Sequence, residues 1–278
     1  MKWNIVMDSS CDTDVYEHES DIRYETVPFV INVDGTDYVD TPDLDLADLI
    51  DRMAESKTAN RTSCPSPNCW YEQFMREGNV FAVTISRELS GSYNSAVSAM
   101  NMVHEEDPDK KIAIFNTRGT GPTAIILIRR LSRWIDEGYS FEEIVAKAED
   151  FIGNIKIIFA LSSFDNLVKN GRMSRIAGFV ANRLGFWGIG IGTDEGKIHI
   201  KAKVRGTRKV VETMIQDMLE RRVPIEQVVI SHCFNPEVAE SIRKAVQEKW
   251  AQIKVDIYPT KGLDSFYAEK NGLIVSWH

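Results

Sequence analysis

Residues 81–97, FAVTISRELSGSYNSAV, place a strand and a helix on either side of a short polar loop. The apolar, β-branched run Phe81–Ile85 is typical of a buried strand, and Ser90-Gly91-Ser92 leads into a helix-like segment. In open α/β sheets ligands bind at such junctions, because the first turn of a helix has unpaired N–H groups and a positive dipole end. The stretch therefore predicts an α/β fold with an anion-binding loop after the strand.

The rest of the chain repeats this alternation. The strand-like runs are residues 3–7, 27–33, 80–85, 111–115, 155–161, 228–231 and 253–258. The helix-like runs are residues 44–55, 70–76, 95–105, 123–136, 141–152, 207–221 and 236–250. Strands that alternate with helices of about ten to fifteen residues are typical of parallel sheets built from right-handed crossovers.

Residues 197–204, KIHIKAKV, depart from this pattern. Ile, Ala and Val alternate with Lys and His, which predicts a half-exposed strand of an antiparallel or mixed sheet, and Glu195-Gly196 before it fits a hairpin turn. We therefore predict two α/β lobes. Residues 1–154 form a lobe with a parallel βαβ sheet, residues 155–278 form a lobe with a mixed sheet, and a ligand lies in the cleft between them.

The composition excludes several classes of protein. The chain has 278 residues, of which 43% are hydrophobic, and a net charge of −8, which argues against a general nucleic-acid binder. The first apolar run is too short for a signal peptide, and no window is long enough to span a membrane. The four cysteines lack paired CxxC spacing. We expect a cytoplasmic protein with no metal, cofactor or nucleic-acid partner and no stable membrane insertion.

Small hydroxyl residues are concentrated in the loops of the first lobe. They occur in segments 8–12, 61–67, 86–92 and 116–121. In a parallel sheet, the loops after the first, third and fourth strands open onto one edge, where they can hydrogen-bond oxygen atoms. Local explanations remain open, because Ser66-Pro67 fits a helix start and Asp8-Ser9-Ser10 fits a turn stabilised by its own side chains.

Motifs for nucleotide binding and serine catalysis are absent from the sequence. It contains no GxxxxGK[ST] motif, no GxGxxG after a strand and no GxSxG, and the glycine-rich segment 188–192 precedes the predicted hairpin. His232, at a strand end, is better explained as a hydrogen-bonded structural histidine than as a catalytic base. The alternative to a binding protein is an enzyme with Ser90 as nucleophile, or a module that takes a small phosphorylated or carboxylic metabolite.

Two arginines of the second lobe stand beside glycines. Arg172 follows Asn170-Gly171, and Arg205 precedes Gly206. A planar guanidinium suits a carboxylate or a phosphate, although a solvated surface arginine has the same local sequence.

Several motifs, taken in order, resemble the DegV family of bacterial fatty-acid-binding proteins. They are Asp8-Ser9-Ser10-Cys11-Asp12, Arg61-Thr62-Ser63-x-Pro65-Ser66-Pro67, Ile85-Ser86-x-x-Leu89-Ser90-Gly91-Ser92-Tyr93, Leu161-x-x-Phe164-x-x-Leu167-x-x-Asn170-Gly171-Arg172-Met173-Ser174, and Asp194-x-Gly196-Lys197-Ile198 followed by Arg205. The family's C-terminal His-Thr-Gly-Pro-Gly falls near residue 267, where this chain has Phe266-Tyr267-Ala268-Glu269-Lys270. The resemblance is therefore to a divergent member.

This resemblance implies non-catalytic binding of one long-chain fatty acid, with the acyl chain buried between the lobes and no other cofactor. It also implies that the bound acid is presented to a separate fatty-acid kinase, which phosphorylates it. Thr62 and Ser90 would hold the carboxylate, and Arg172 and Arg205 would serve charge balance or kinase docking. The full set of ligand-binding residues that it implies is Thr62, Ser63, Ser90, Gly91, Ser92, Arg172 and Arg205.

Overall fold

Strands and helices alternate along most of the chain in the computed structural model, which describes residues 2–14, 16, 18, 20–174 and 185–278. The strands are β1 (Trp3–Asp8), β2 (Ile22–Val27), β3 (Val30–Val33), β4 (Thr36–Val39), β5 (Arg61–Ser63), β6 (Asn79–Thr84), β7 (Ile112–Asn116), β8 (Lys156–Leu161), β9 (Phe186–Gly192), β10 (Ile198–Arg205), β11 (Gln227–His232), β12 (Lys254–Pro259) and β13 (Leu273–Trp277). The helices are α1 (Leu46–Glu55), α2 (Pro67–Phe74), α3 (Ser92–Glu106), α4 (Pro122–Asp136), α5 (Phe141–Asn154), α6 (Asp165–Lys169), α7 (Thr207–Arg221), α8 (Pro236–Lys249) and α9 (Gly262–Ala268).

The strands form two large sheets and one small one. The first is parallel, in the order β2-β1-β6-β7, and the second is mixed, in the order β10-β9-β8-β13-β11-β12. The small sheet, β4-β3-β5, is antiparallel. The predicted fold class, with a parallel sheet in one lobe and a mixed sheet in the other, is confirmed. The boundary between residues 154 and 155 stays a prediction.

Some predicted elements differ from those observed. The predicted strand 27–33 is divided, since β2 ends at Val27, before Pro28, and β3 begins at Val30 in the small sheet. Proline has no N–H and cannot continue a ladder, so the strand ends before it. The strand predicted at 197–204 is confirmed as β10, whose residues alternate in exposure and pair antiparallel with β9. The predicted turn holds Gly196 at a φ of +90°, a conformation that favours glycine.

Helix α4 is buried around most of its circumference because it lies between the two large sheets. It contacts β6 of the parallel sheet and β11 and β13 of the mixed sheet. The consecutive residues 125–128 have no exposed surface. A helix that is apolar on all sides is typical of an interior position. The position of α4 therefore determines how far apart the sheets lie.

Replacement of Ile126 by Ala should lower the free energy of unfolding by about 2–5 kcal/mol, because the cavity left in a fully buried helix cannot collapse against two sheets. The matched control is Leu219→Ala on α7, where the side chain is 44% exposed and the change should stay within about 0.5 kcal/mol. Urea denaturation of both variants measures the difference. Equal effects at the two positions would contradict the interior position of α4.

Candidate functional site

Asp8, at the end of β1, holds together the loops at the edge of the parallel sheet where its strands end. Its Oδ2 accepts the N–H of Ile85 at 3.1 Å and the hydroxyl of Ser92 at 2.6 Å, and its Oδ1 accepts the hydroxyl of Ser10 at 2.6 Å. Burial raises the pKa of Asp8, while these donors oppose the shift. Asp8 thus links β1 to the start of α3. The local-turn explanation of Asp8-Ser9-Ser10 covers only the bonds from Ser10, whose N–H also donates to Oδ1 of Asp8 at 3.3 Å.

Side-chain hydrogen bonds join this edge to the second lobe. The hydroxyl of Ser86 donates to the carbonyl of Gly196 at 2.7 Å, and the hydroxyl of Thr120 donates to Oδ1 of Asp264 at 2.6 Å. Nε of Arg172 donates to the carbonyl of Leu89 at 3.1 Å. The loops after β6 and β7 therefore close onto the β9–β10 hairpin, helix α9 and the segment after α6.

A largely apolar cavity lies between this edge and the mixed sheet. Its volume is about 80 Å³, below the roughly 300–1,000 Å³ of small-molecule sites, so a ligand of that size requires the lining side chains to move apart. The apolar residues that line it are Phe29, Ile85, Leu89, Ile157, Phe159, Leu161, Leu167, Ile198, Leu263, Ala268 and Ile274. Because they come from both lobes, the cavity exists only when the lobes are packed together.

The glycines of β9 make room for two of these side chains. Phe159 of β8 pairs with Gly190, and a Cβ on Gly190 would lie 2.2 Å from the Phe159 ring. A Cβ on Gly192 would lie 2.5 Å from Ile157. Ile189, between the two glycines, packs into the core on the other face of the sheet. The glycine-rich segment 188–192 is therefore a strand whose glycines leave one face without side chains. The side chains of Ile157 and Phe159 occupy the space on that face.

The polar end of the cavity is built from four side chains. The hydroxyls of Thr62 and Tyr267 are 2.8 Å apart, and the Arg172 guanidinium lies 5.7 Å from the centre of the Tyr267 ring. Ser90 lines the same cavity, and its loop packs close to residue 64, since a Cβ on Gly91 would lie 3.4 Å from Sγ of Cys64. The structure thus brings together Thr62, Ser90 and Arg172 of the predicted residues, and adds Tyr267.

This end of the cavity offers donors to a ligand. The hydrogen bond between the hydroxyls of Thr62 and Tyr267 uses the proton of only one of them. Whichever hydroxyl donates, the other keeps its own proton and can donate it to a ligand. The Ser90 hydroxyl accepts the N–H of Ser92 at 3.2 Å, and its own proton has no acceptor among the described residues. Arg172 uses two of its five N–H groups on the carbonyls of Leu89 and Asn170. Two hydroxyl protons and one cation are suited to a carboxylate.

Tyr267 lies in the segment near which the resemblance places the family's C-terminal motif, and the sequence alone does not identify it as a site residue. Burial raises the pKa of Tyr267 above its usual value near 10, so the phenol stays neutral. Asn166 holds the segment in place by donating to the carbonyl of Phe266 at 2.9 Å, and Glu269 accepts the hydroxyl of Ser163 at 2.9 Å.

Three other predicted residues do not line the cavity. Ser63 is exposed in β5, where it pairs with Val30. Ser92 is buried and its hydroxyl is used on Asp8. Arg205 is exposed at the end of β10, and its guanidinium lies 5.6 Å from the centre of the Phe186 ring. Their roles toward a ligand stay predictions.

Two further positions have local roles. Gly91 lines a shallow surface depression next to Ser90 and Arg172, outside the cavity. Nδ1 of His232 accepts the N–H of Asn235 at 3.2 Å, which confirms the prediction of a hydrogen-bonded structural histidine.

The described residues, 2–14, 16, 18, 20–174 and 185–278, contain neither a group of metal ligands nor a membrane-spanning helix. Within these ranges no three or more His, Cys, Asp and Glu side chains are grouped so that they could hold a metal ion. No helix in the same ranges is long and apolar enough to cross a membrane.

Comparison with known proteins places the chain in a family. A family model described as an uncharacterised protein of the DegV family matches residues 2–275, and the chain belongs to the DegV family. A DegV domain-containing protein of Streptococcus gordonii is 32% identical over 278 residues, covering 100% of this chain and 99% of the relative.

Two solved structures are similar over nearly the whole chain. The Streptococcus pneumoniae Fatty Acid Kinase (Fak) B3 protein, loaded with linoleic acid, superposes with a TM-score of 0.96 at 32% identity, covering 100% of this chain and 99% of that one. A DegV family protein of Eubacterium eligens, loaded with heptadecanoic acid, superposes with a TM-score of 0.93 at 30% identity, covering 99% of each chain.

Removal of the Ser92 hydroxyl should destabilise the protein by about 1–3 kcal/mol, because the buried Asp8 carboxylate loses a donor. The control, Ser63→Ala, makes the same chemical change at an exposed position and should stay within about 0.5 kcal/mol. Urea denaturation of the two variants tests this. A larger loss from Ser63→Ala would mean that Asp8 does not depend on Ser92.

Proposed function

We propose that this protein binds one long-chain fatty acid, with its acyl chain in the cavity and its carboxylate at the end formed by Thr62, Ser90, Arg172 and Tyr267. The observation that carries the proposal is the combination in one cavity of a largely apolar lining with the Thr62, Tyr267 and Ser90 hydroxyls and the Arg172 guanidinium. The acids bound in the similar Streptococcus pneumoniae and Eubacterium eligens structures support it.

The two parts of the ligand contribute differently. Burial of an acyl chain contributes roughly 0.8 kcal/mol per CH₂, so a chain of about sixteen carbons supplies on the order of 10 kcal/mol before the entropic cost of binding. A buried carboxylate needs several donors to stay ionised, and an adjacent guanidinium favours the charged form. The chain therefore provides most of the affinity, and the polar end sets the orientation.

A binding role fits the polar end better than catalysis. Among the described residues that line the cavity there is no histidine to act as a base for Ser90. A small phosphorylated or carboxylic metabolite would leave the apolar lining without a partner. We therefore propose a carrier without catalytic activity of its own, in a cytoplasmic location.

The polar end is placed so that an enzyme can reach the bound acid. Ser90 and Arg172 line both the cavity and the surface depression beside it, to which Arg87 and Asn94 also contribute. Arg205 is exposed on β10 beside Lys203, and both cations lie near the Phe186 ring. We propose that a fatty-acid kinase phosphorylates the carboxylate through this depression, and that Arg205 contacts the kinase.

Lipid extracted from the purified protein should contain a stoichiometric fatty acid. The double variant Thr62→Ala/Ser90→Ala should retain much less of it, because loss of two hydrogen bonds to a carboxylate weakens binding by at least about tenfold. Denaturing mass spectrometry of the extract measures both. The matched control is Thr213→Ala/Ser241→Ala on α7 and α8, where each hydroxyl bonds only its own helix, and this control should retain the acid. An extract with no acid in any sample would favour the small-metabolite alternative.

Substitutions of Arg172 and Arg205 should affect different steps, namely binding of the fatty acid and its phosphorylation by a kinase. Arg172→Gln removes the guanidinium at the polar end of the cavity and should reduce the retained acid, whereas Arg205→Gln should retain it and lower only phosphorylation by an added kinase. Mass spectrometry of the extract and transfer of labelled phosphate measure the two effects. Loss of acid from Arg205→Gln would contradict the separation.

A further inference from the structure

Two buried carboxyl groups meet where the lobes join, beside the cavity. Asp12 follows β1 and is 4% exposed, and Asp264 lies in α9 and is 3% exposed. Oδ1 of Asp12 accepts the N–H of Lys261 at 2.8 Å, and Oδ1 of Asp264 accepts the hydroxyl of Thr120 at 2.6 Å. The other oxygen of each carboxyl group has no hydrogen-bond partner with good geometry among the described residues, although the buried Ser231 hydroxyl lies close enough to Asp12 to favour its charged form.

These two unsatisfied oxygens face one another over Gly121. A Cβ on Gly121 would lie 2.5 Å from Oδ2 of Asp12 and 2.5 Å from Oδ2 of Asp264. The two carboxyl groups are within hydrogen-bonding reach of each other. Two ionised carboxylates repel strongly in such a dry space, whereas a single proton forms an O–H···O⁻ bond that satisfies both oxygens.

A metal ion is a poorer occupant of this position than a proton. Ca²⁺ takes about six to eight oxygen ligands and Mg²⁺ demands octahedral geometry, but only one carboxyl oxygen from each aspartate faces the gap, since the others accept bonds from Lys261 and Thr120.

The hydrogen bond between the two carboxyl groups would join the first lobe to helix α9, which carries Tyr267 of the polar end of the cavity. Asp40 already accepts the N–H groups of Gly262 and Leu263, at 2.7 Å and 2.9 Å, and so holds the start of α9. Asp264 is one position further along, and Tyr267 lies three residues after it, on the same face of the helix. A bond at Asp264 therefore restrains the turn from which the Tyr267 hydroxyl reaches Thr62.

We propose that Asp12 and Asp264 hold a single proton between them, and that Asp264 is thereby a positioning residue for Tyr267 at the polar end of the cavity. The positioning role rests on the proposed function, whereas the shared proton does not depend on it.

Because of the shared proton, the contact between the two lobes should become less stable as the pH rises. Burial raises the pKa of Asp12 to about 6, and burial together with the charge of Asp12 raises the pKa of Asp264 well above its ordinary value. A carboxyl whose pKa is raised on folding contributes stability that is complete below its unfolded pKa and is lost as the pH rises through its folded pKa. Among the described residues, the other ionisable groups that interact with the pair or with Lys261 beside it are Cys11, Asp14, Asp40, Cys233 and Lys261.

The first test uses protein stripped of lipid and compares the wild type with Asp264→Asn. An asparagine amide donates to Asp12 and accepts from Thr120 at every pH, so the wild type should lose thermal stability relative to this variant between pH 6 and 9, by roughly 2–4 °C. Since the other ionisable groups are the same in both proteins, the difference isolates the pair.

The control is Asp217→Asn, a buried aspartate 2% exposed that pairs with Lys201 and Arg221 instead of another carboxyl. Asp217→Asn should lower the midpoint temperature of thermal unfolding by the same amount at every pH between 6 and 9. If the difference in thermal stability between wild type and Asp264→Asn does not change with pH, Asp12 and Asp264 do not share a proton. The same conclusion follows if EDTA abolishes this difference and added Ca²⁺ or Mg²⁺ restores it.

The second test measures acid retained by lipid-loaded protein over the same pH range. The wild type should retain less acid as the pH rises, and Asp264→Asn should retain a constant amount, which a purely structural role would not produce. If the thermal difference changes with pH while wild-type retention does not, the positioning role is wrong. If neither protein holds acid at any pH, the proposed function fails and the thermal test still decides the shared proton.

Discussion

Helix α4 has to be buried on nearly every side, and this requirement determines how the two large sheets lie. The run Ala124–Ile128 leaves no polar stripe for solvent, so only a position between two apolar layers can accommodate it. With the parallel sheet on one side and the mixed sheet on the other, the loops at one edge of the first sheet face the inner surface of the second. The cavity is the space that remains there. Its apolar lining comes from both lobes, and its hydroxyl-rich end includes loop residues at the edge of the first sheet.

The sequence predicts best those parts of the fold that local signals specify. Alternation along residues 197–204 identifies β10, and Ser66-Pro67 marks the start of α2, where Ser66 does accept the N–H of Cys69. Parts that depend on distant contacts were missed or placed incompletely. Strand β9 lacked a recognisable pattern because its alternate glycines are explained only by Phe159 and Ile157 on the neighbouring strand. Likewise, no local feature of Ser92 shows that its hydroxyl bonds Asp8, which precedes it by 84 residues.

The polar end of the cavity combines uncharged donors with one cation. Thr62, Ser90 and Tyr267 supply hydroxyls, and the raised pKa of Tyr267 keeps that group neutral. A histidine at this position would change its charge near neutral pH, whereas a phenol does not. The tyrosine also presents an aromatic face to Arg172, which limits the orientations of the guanidinium. The polar end therefore has a hydroxyl donor whose charge does not change near neutral pH.

The order of strands in the mixed sheet also has a consequence for how the molecule is made. Strand β13 follows all its neighbours in the chain, yet it lies between β8 and β11 in the middle of the sheet. During synthesis on the ribosome, those two strands emerge with unpaired edges and cannot be joined until residues 273–277 have left the exit tunnel. Helix α9 precedes β13 by only a few residues, so the cavity closes at the same late stage. A nascent chain therefore has no compartment for a lipid, and its exposed strand edges are the features that chaperones would have to protect.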